Sequence, residues 1–301
     1  RMTWTGTNFG VAYNSGGFAK FRLMDTAGNA TNPLTLPKDF YIPLNPQSSP
    51  ALATVVAVKP VWTGVGFLVF GLILEPTEDN DLKNFYTHLV LWRLDPQGNL
   101  LGTRYIDCIY SYSGKYAGSE HGWYNVCWSG EKLMLAYLDW DGLIPTTLYQ
   151  ILDAGGRTVR GMQRAFTPDQ AVTAPMIAWS GHTFAMTGHY TEILSSTNSY
   201  YIRFFNGDGV PLAQETMYNT GETTYHVHSS VSWMGDRFFV AFPTANFYTY
   251  QAVVRACSFD EAGQRLESNY TLLAVGDSTL DYNWIIPGQH MKFVGNGKKV
   301  L

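Results

Sequence analysis

The chain has 301 residues, and its aromatic and charged fractions are both 15 %, where about 25 % charged is usual; such a chain buries much of itself and covers its surface with Asn, Ser, Thr, Gln and Tyr. A net charge of −4 without long runs of one sign excludes the basic stripe that nucleic-acid binding requires. No uninterrupted apolar run is long enough for a transmembrane segment, because Lys59, Pro60, Thr63 and Gly64 break the stretch from Ala51 to Leu74 into two strands and a turn.

In chain order, five units begin in the same way: Trp4, Thr5, Gly6; Trp62, Thr63, Gly64; Trp128, Ser129, Gly130; Trp179, Ser180, Gly181; and Trp233, Met234, Gly235. Each opening leads into alternating apolar residues, such as Phe67 and Val69 or Phe184 and Met186. Each unit also contains an Asp or Asn with Gly three residues on: Asp25 and Gly28, Asp95 and Gly98, Asp153 and Gly156, Asn206 and Gly209, Asp260 and Gly263. A sixth opening starts at Phe293, Val294, Gly295. A period of roughly 50 to 66 residues signals radial or solenoid repetition.

Each unit parses into four short strands. The first carries the Trp, and the Gly turns it tightly into the second. A variable loop leads to the third strand, which ends at the Asp/Asn turn; there the side chain caps its own backbone and Gly supplies positive φ. The fourth strand and a second variable loop lead to the next Trp. Helical periodicity is almost absent.

The expectation is an all-β fold, a β-propeller of four-stranded antiparallel blades. Its approximate blades are 1–55, 56–121, 122–172, 173–226 and 227–286, with a partial one at 287–301, all in a single domain. The start at Arg1 and the strand pattern at Lys298 to Leu301 suggest part of a longer chain of six or seven blades. The repeated Trp is expected to fill the gap between neighbouring sheets.

Units of the type Trp, Ser/Thr, Gly, two variable residues and Phe, closing on Arg93, Leu94, Asp95 and Gly98 in the cleanest copy, resemble propeller repeats of bacterial secreted and surface proteins. The resemblance implies the fold and an extracellular, cell-surface or periplasmic location. It implies no shared catalytic motif. The Kelch double glycine, the Trp-Asp ending of WD40 blades and the Asp-box of sialidases are missing from the sequence.

With antiparallel strands, the tight turns of every blade share one face and the variable loops share the other, where function is expected. His121, His189, His226, His228 and His290 fall in or beside the variable segments, whereas His88 falls in a strand and His182 in a tight turn. Tyr and Trp crowd the same segments, as partner surfaces and sugar-stacking sites both require. The candidate ligand-binding residues are His121, Trp123, Trp140, His189, Tyr190, His226, His228, Tyr248 and Trp284.

No cofactor is predicted. Zn through histidines and Ca through Glu75, Glu78, Asp79 and Asp81 are the metal options, but the acidic stretch lacks a spaced calcium-loop pattern and is expected to be a solvated loop. Cys108, Cys127 and Cys257 are an odd set without a CxxC pair; a Cys108 to Cys127 bridge is one reading and buried small hydrophobes the other.

No nucleophile elbow or phosphate loop appears, so the sequence leans away from an enzyme. The leading functional expectation is a non-catalytic recognition or scaffold module that holds a protein partner, a glycan or further copies of itself. The alternatives are a glycan-active enzyme using Asp139, Asp141 and His226 or His228, and a metal-stabilised structural subunit.

Overall fold

A computed structural model of the chain describes residues 1–38, 40, 53–76, 85–111, 124–141, 144–166, 172–191, 198–220, 229–246 and 251–275. Among these, every regular element is a strand, and no helix is long and apolar enough to cross a membrane. The sixth opening at Phe293 lies outside the described residues.

Twenty strands form five four-stranded sheets, the blades of a β-propeller, in which consecutive strands are hydrogen-bonded neighbours. The first sheet comprises β1 (Met2–Trp4), β2 (Phe9–Ser15), β3 (Phe18–Met24) and β4 (Leu34–Thr35). The second comprises β5 (Thr54–Trp62), β6 (Phe67–Pro76), β7 (Phe85–Leu94) and β8 (Leu100–Ser111). The third comprises β9 (Tyr124–Trp128), β10 (Leu133–Asp141), β11 (Ile144–Leu152) and β12 (Thr158–Arg164). The fourth comprises β13 (Val172–Trp179), β14 (Thr183–Thr191), β15 (Asn198–Asn206) and β16 (Pro211–Thr220). The fifth comprises β17 (Ser230–Trp233), β18 (Phe238–Asn246), β19 (Gln251–Phe259) and β20 (Arg265–Val275).

The opening motif makes the first turn. Gly181 has φ 116°, in the left-handed region that favours glycine. Beside it the Ser180 Oγ accepts the amide of Thr183 at 2.9 Å, as Ser129 Oγ does from Lys132 at 2.8 Å. This bond explains the Ser or Thr after the Trp.

The closing motif makes the second turn. Asp95 Oδ1 accepts the amides of Gln97 and Asn99 at 2.9 and 2.8 Å, while the amide of Gly98 bonds the Asp95 carbonyl at 3.0 Å. Asn206 reproduces the arrangement through its own Oδ1, with the amides of Asp208 and Val210 at 3.0 and 2.9 Å. An amide oxygen serves because the turn needs only an acceptor.

The chain divides into two compact units, Arg1–Glu120 with Leu152–Val159, and His121–Ile151 with Arg160–Leu301. In the first, sheets one and two bury Phe21, Phe67, Val69, Val90, Trp92 and Leu94 in one core. In the second, sheets three and four pack through Met134, Tyr149, Ile151, Phe184 and Phe205, and sheets four and five through Ile202, Phe204, Phe238, Val240 and Phe259. First strands lie beside first strands: β1 by β5 in one unit, and β9 and β17 by β13 in the other. Fourth strands face solvent, and Leu101, Val159, Leu212 and Leu266 on or beside them are exposed.

The expectation that the repeated Trp fills the gap between sheets needs adjustment. Trp62, Trp179 and Trp233 are only partly buried, and Trp4 is 45 % exposed. The gap is filled by the Phe five residues on, with Phe67, Phe184 and Phe238 almost fully buried. Trp and Phe are direct cross-strand partners with ring centroids 4.8, 4.3 and 4.8 Å apart in these three sheets. The indole thus covers the end of the core and keeps an edge in water, as its polar N–H favours.

Candidate functional site

Buried polar side chains concentrate at the variable-loop ends of the strands. They include Glu75, Thr87 and His88 in the first unit and Asn125, Thr147, Thr187, His189, Ser199, Ser229 and Ser230 in the second. The tight-turn ends bury mainly Phe and Leu, such as Phe67, Leu94, Phe184 and Phe238, with the hydroxyls of Thr63, Thr183 and Ser258 among them. A buried polar group is costly unless hydrogen-bonded, so the end that keeps most such groups is the end able to meet a polar ligand.

In the first unit the variable end of sheet two holds an acid and an imidazole. His88 Nε2 and Glu75 Oε2 lie 2.7 Å apart, and both side chains are fully buried. Glu75 is the ninth residue of β6 and His88 the fourth of β7, two residues from direct opposition and so on one face of the sheet, since Ile73 pairs with His88 and Glu75 with Tyr86. Burial holds the His88 imidazole below its ordinary pKa, with the Glu75 hydrogen bond and charge opposing.

Next to this pair the Tyr105 ring lies 5.9 Å from His88. Its hydroxyl is pushed well above the ordinary phenol range, first by burial and then by Cys108 and the acids Asp107 and Glu75. The solvated-loop expectation is therefore corrected at Glu75, which is a buried strand residue; Glu78, Asp79 and Asp81 lie outside the described residues. Both faces of β6 and β7 are buried, so alternation of polar and apolar residues gave no cue to this pair.

In the second unit Asp139 is half-buried near the variable end of β10, and Asp141 is the last residue of that strand. His189 is 2 % exposed. Its ring lies 4.9 Å from its cross-strand partner Tyr200, which lies 4.9 Å from Phe242. The structure thus places His189 within the packing of sheets four and five. Nearby, Ser229 Oγ donates to Thr187 Oγ1 at 2.8 Å.

Trp140 and Tyr190 lie on β10 and β14. His121, Trp123, His226, His228, Tyr248 and Trp284 lie outside the described residues. Among the described residues no group of three or more His, Cys, Asp or Glu is placed to hold a metal ion. The three cysteines are free thiols.

No protein-family model and no curated protein matches the chain. Solved structures do. A Penicillium chrysogenum alpha-L-arabinanase complexed with arabinobiose is 11 % identical over 88 % of this chain and 77 % of its own, with a TM-score of 0.48. A GH43 endo-arabinanase from Bacillus licheniformis is 11 % identical over 88 % of this chain and 94 % of its own, with a TM-score of 0.37. A GH43 beta-1,3-galactosidase with galactodeoxynojirimycin is 11 % identical over 88 % of this chain and 91 % of its own, with a TM-score of 0.43.

These likenesses are to the fold and assign no substrate. The expectation of a non-catalytic recognition or scaffold module is corrected: the structures matched over most of both chains are named as glycan-cleaving enzymes, and the glycan-active alternative is carried as a proposal.

Proposed function

We propose that the protein is a glycan-active β-propeller working at the variable-loop ends of its sheets. The observation that carries this reading is that the buried ionisable side chains Glu75, His88 and His189 stand at those ends, whereas the tight-turn ends bury the small hydroxyls of Thr63, Thr183 and Ser258. A glycan presents many hydroxyl groups, which hydrogen-bonding Asn, Ser, Thr and His side chains match, and the Tyr and Trp of the variable segments suit its ring faces. Glycosidic cleavage uses two carboxyl groups, one as acid and one as base or nucleophile. Asp139 and Asp141 are the candidates, with His226 or His228 beside them; His121, Trp123, Trp140, His189, Tyr190, Tyr248 and Trp284 are candidates for holding the substrate.

The same reading takes 1–301 as one propeller domain, working outside the cell or in the periplasm. It is tested by reducing-end release from a panel of polysaccharides that includes arabinan and beta-1,3-galactan. Hydrolysis of at least one, lowered about 100-fold or more by Asp139→Asn or Asp141→Asn with melting unchanged, is expected. Full activity in both variants, or neither hydrolysis nor binding across the panel, overturns it.

A further inference from the structure

The tight-turn ends carry two clefts of the same design, each formed where the first turn of one sheet meets the second turn of the next. One, of about 370 Å³ within the second unit, is lined by Ser129, Glu131, Lys132, Trp179, Gly207 and Asp208, among others. Its cation is neutralised internally, because Lys132 Nζ pairs directly with Asp208 Oδ1.

The other lies wholly within the first unit. It has a volume of about 250 Å³ and is lined by Phe67, Leu68, Arg93, Leu94, Asp153 and Arg157, with Gly66, Ala154 and Gly155. Thr63 Oγ1 links its two sides, donating to the carbonyls of Gly66 and Ala154, each at 3.1 Å.

Neither arginine recurs at its position in the other sheets of this chain. The position two residues before the turn Asp/Asn is Leu23, Ile151, Phe204 or Ser258 in the other sheets and Arg93 here. The position four residues after it is Asn29, Asn99, Val210 or Gln264 elsewhere and Arg157 here. The two arginines belong to different sheets, yet they meet at one cleft. Among the described residues neither guanidinium has an acidic partner. The one carboxylate in the lining, Asp153, spends its Oδ1 on the amides of Gly155 and Arg157 at 2.9 and 2.8 Å. The neighbouring Arg104 is already engaged by the Gly156 carbonyl and Thr158 Oγ1, both at 2.6 Å.

We infer that the Arg93–Arg157 cleft binds an oxyanion, the sulfate or carboxylate group of an acidic ligand. The two arginines in the lining carry more positive charge than the single Asp153 carboxylate offsets, which leaves the cleft net cationic. A planar or tetrahedral oxyanion accepts paired N–H donors from guanidinium groups and balances that charge. The site is independent of the glycan reading, since it is built at tight turns and shares no residue with the candidates for glycan cleavage or binding.

The test titrates sodium sulfate in one arm and sodium glucuronate in another, with sodium chloride holding ionic strength constant, and follows amide chemical shifts of the full chain. A saturable response to either anion is expected. Its Kd should rise about tenfold or more in Arg93→Gln and in Arg157→Ala, while Lys132→Ala and Asp139→Asn leave it unchanged. Response to sulfate alone assigns a sulfate group, and a tighter response to glucuronate assigns a carboxylate; both support the site. A response no larger than that to chloride, or one that persists in both arginine variants, overturns it. Arg157 is exposed on a turn, so if Arg93→Gln fails to fold, Arg157→Ala decides.

Discussion

At the scale of single residues the Glu75–His88 pair is the most consequential contact, because neither group can turn to water. Truncating His88 to Ala strands the carboxylate in a cavity and should cost about 3–5 kcal/mol, read as a lowered urea midpoint with an unchanged slope. The pH dependence follows from the direction of the His88 shift. Its folded pKa lies below the ordinary value, about 6.5, so the unfolded chain takes up a proton that the folded one refuses. Its contribution to stability is therefore complete above about pH 6.5 and declines as pH falls through that value toward the folded pKa. A wild-type urea midpoint that drops below pH 6.5, with a shallower drop in His88→Gln, is the expected result; identical profiles would remove His88 from the account.

At the scale of the element, each turn glycine carries a different load. Gly209 has φ 73°, and a Cβ there would stand 2.5 Å from Ile151 Cγ1 of the preceding sheet. Gly130 has φ 98° but open space around it. Gly130→Ala should therefore cost about 1–2 kcal/mol for the backbone conformation alone. Gly209→Ala should add about 1–3 kcal/mol of overpacking. Thermal melts of the two variants, and of Gly209→Ala combined with Ile151→Ala, separate the terms; equal losses at the two glycines would contradict this packing. Asp95→Asn should keep the two Oδ1 bonds, as Asn206 does, but lose the one that Asn99 Nδ2 donates to Asp95 Oδ2 at 2.9 Å, and so melt slightly lower than the wild type.

The turns were the most legible part of the sequence. The positive-φ glycines, the Ser/Thr that braces the first turn and the Asp/Asn that caps the second are local, so the residues that need them stand within a few positions. What could not be read locally is the second task of the closing glycine. Its contact is made by a residue some 50 or more positions earlier, and no periodicity announces which side chain that will be.

At the scale of the whole molecule, the cores are layers between consecutive sheets, and the second and third strands carry most of their side chains. Hydrogen exchange should accordingly be slowest in β14, β15 and β18 and fastest in the fourth strands. β12, with six of its seven residues exposed and one half-buried, should exchange among the first. Uniform protection across the four strands of a sheet would argue against this layering. The candidate site was only partly legible at this scale. Asp139 and Asp141 were singled out by their place near a variable connection, whereas His189 was singled out for the same reason and lies in the packing between two sheets.

The sequence by itself determined the all-β class, the four strands per unit and the two kinds of turn, because hydrophobic alternation and turn chemistry act over a few residues. Only the tertiary structure decided which of the polar residues are buried, that Phe rather than Trp fills the gap between sheets, and that Arg93 and Arg157 share one cleft. Those outcomes depend on which sheet packs against which, and contacts between residues far apart in the chain leave no mark in the local pattern.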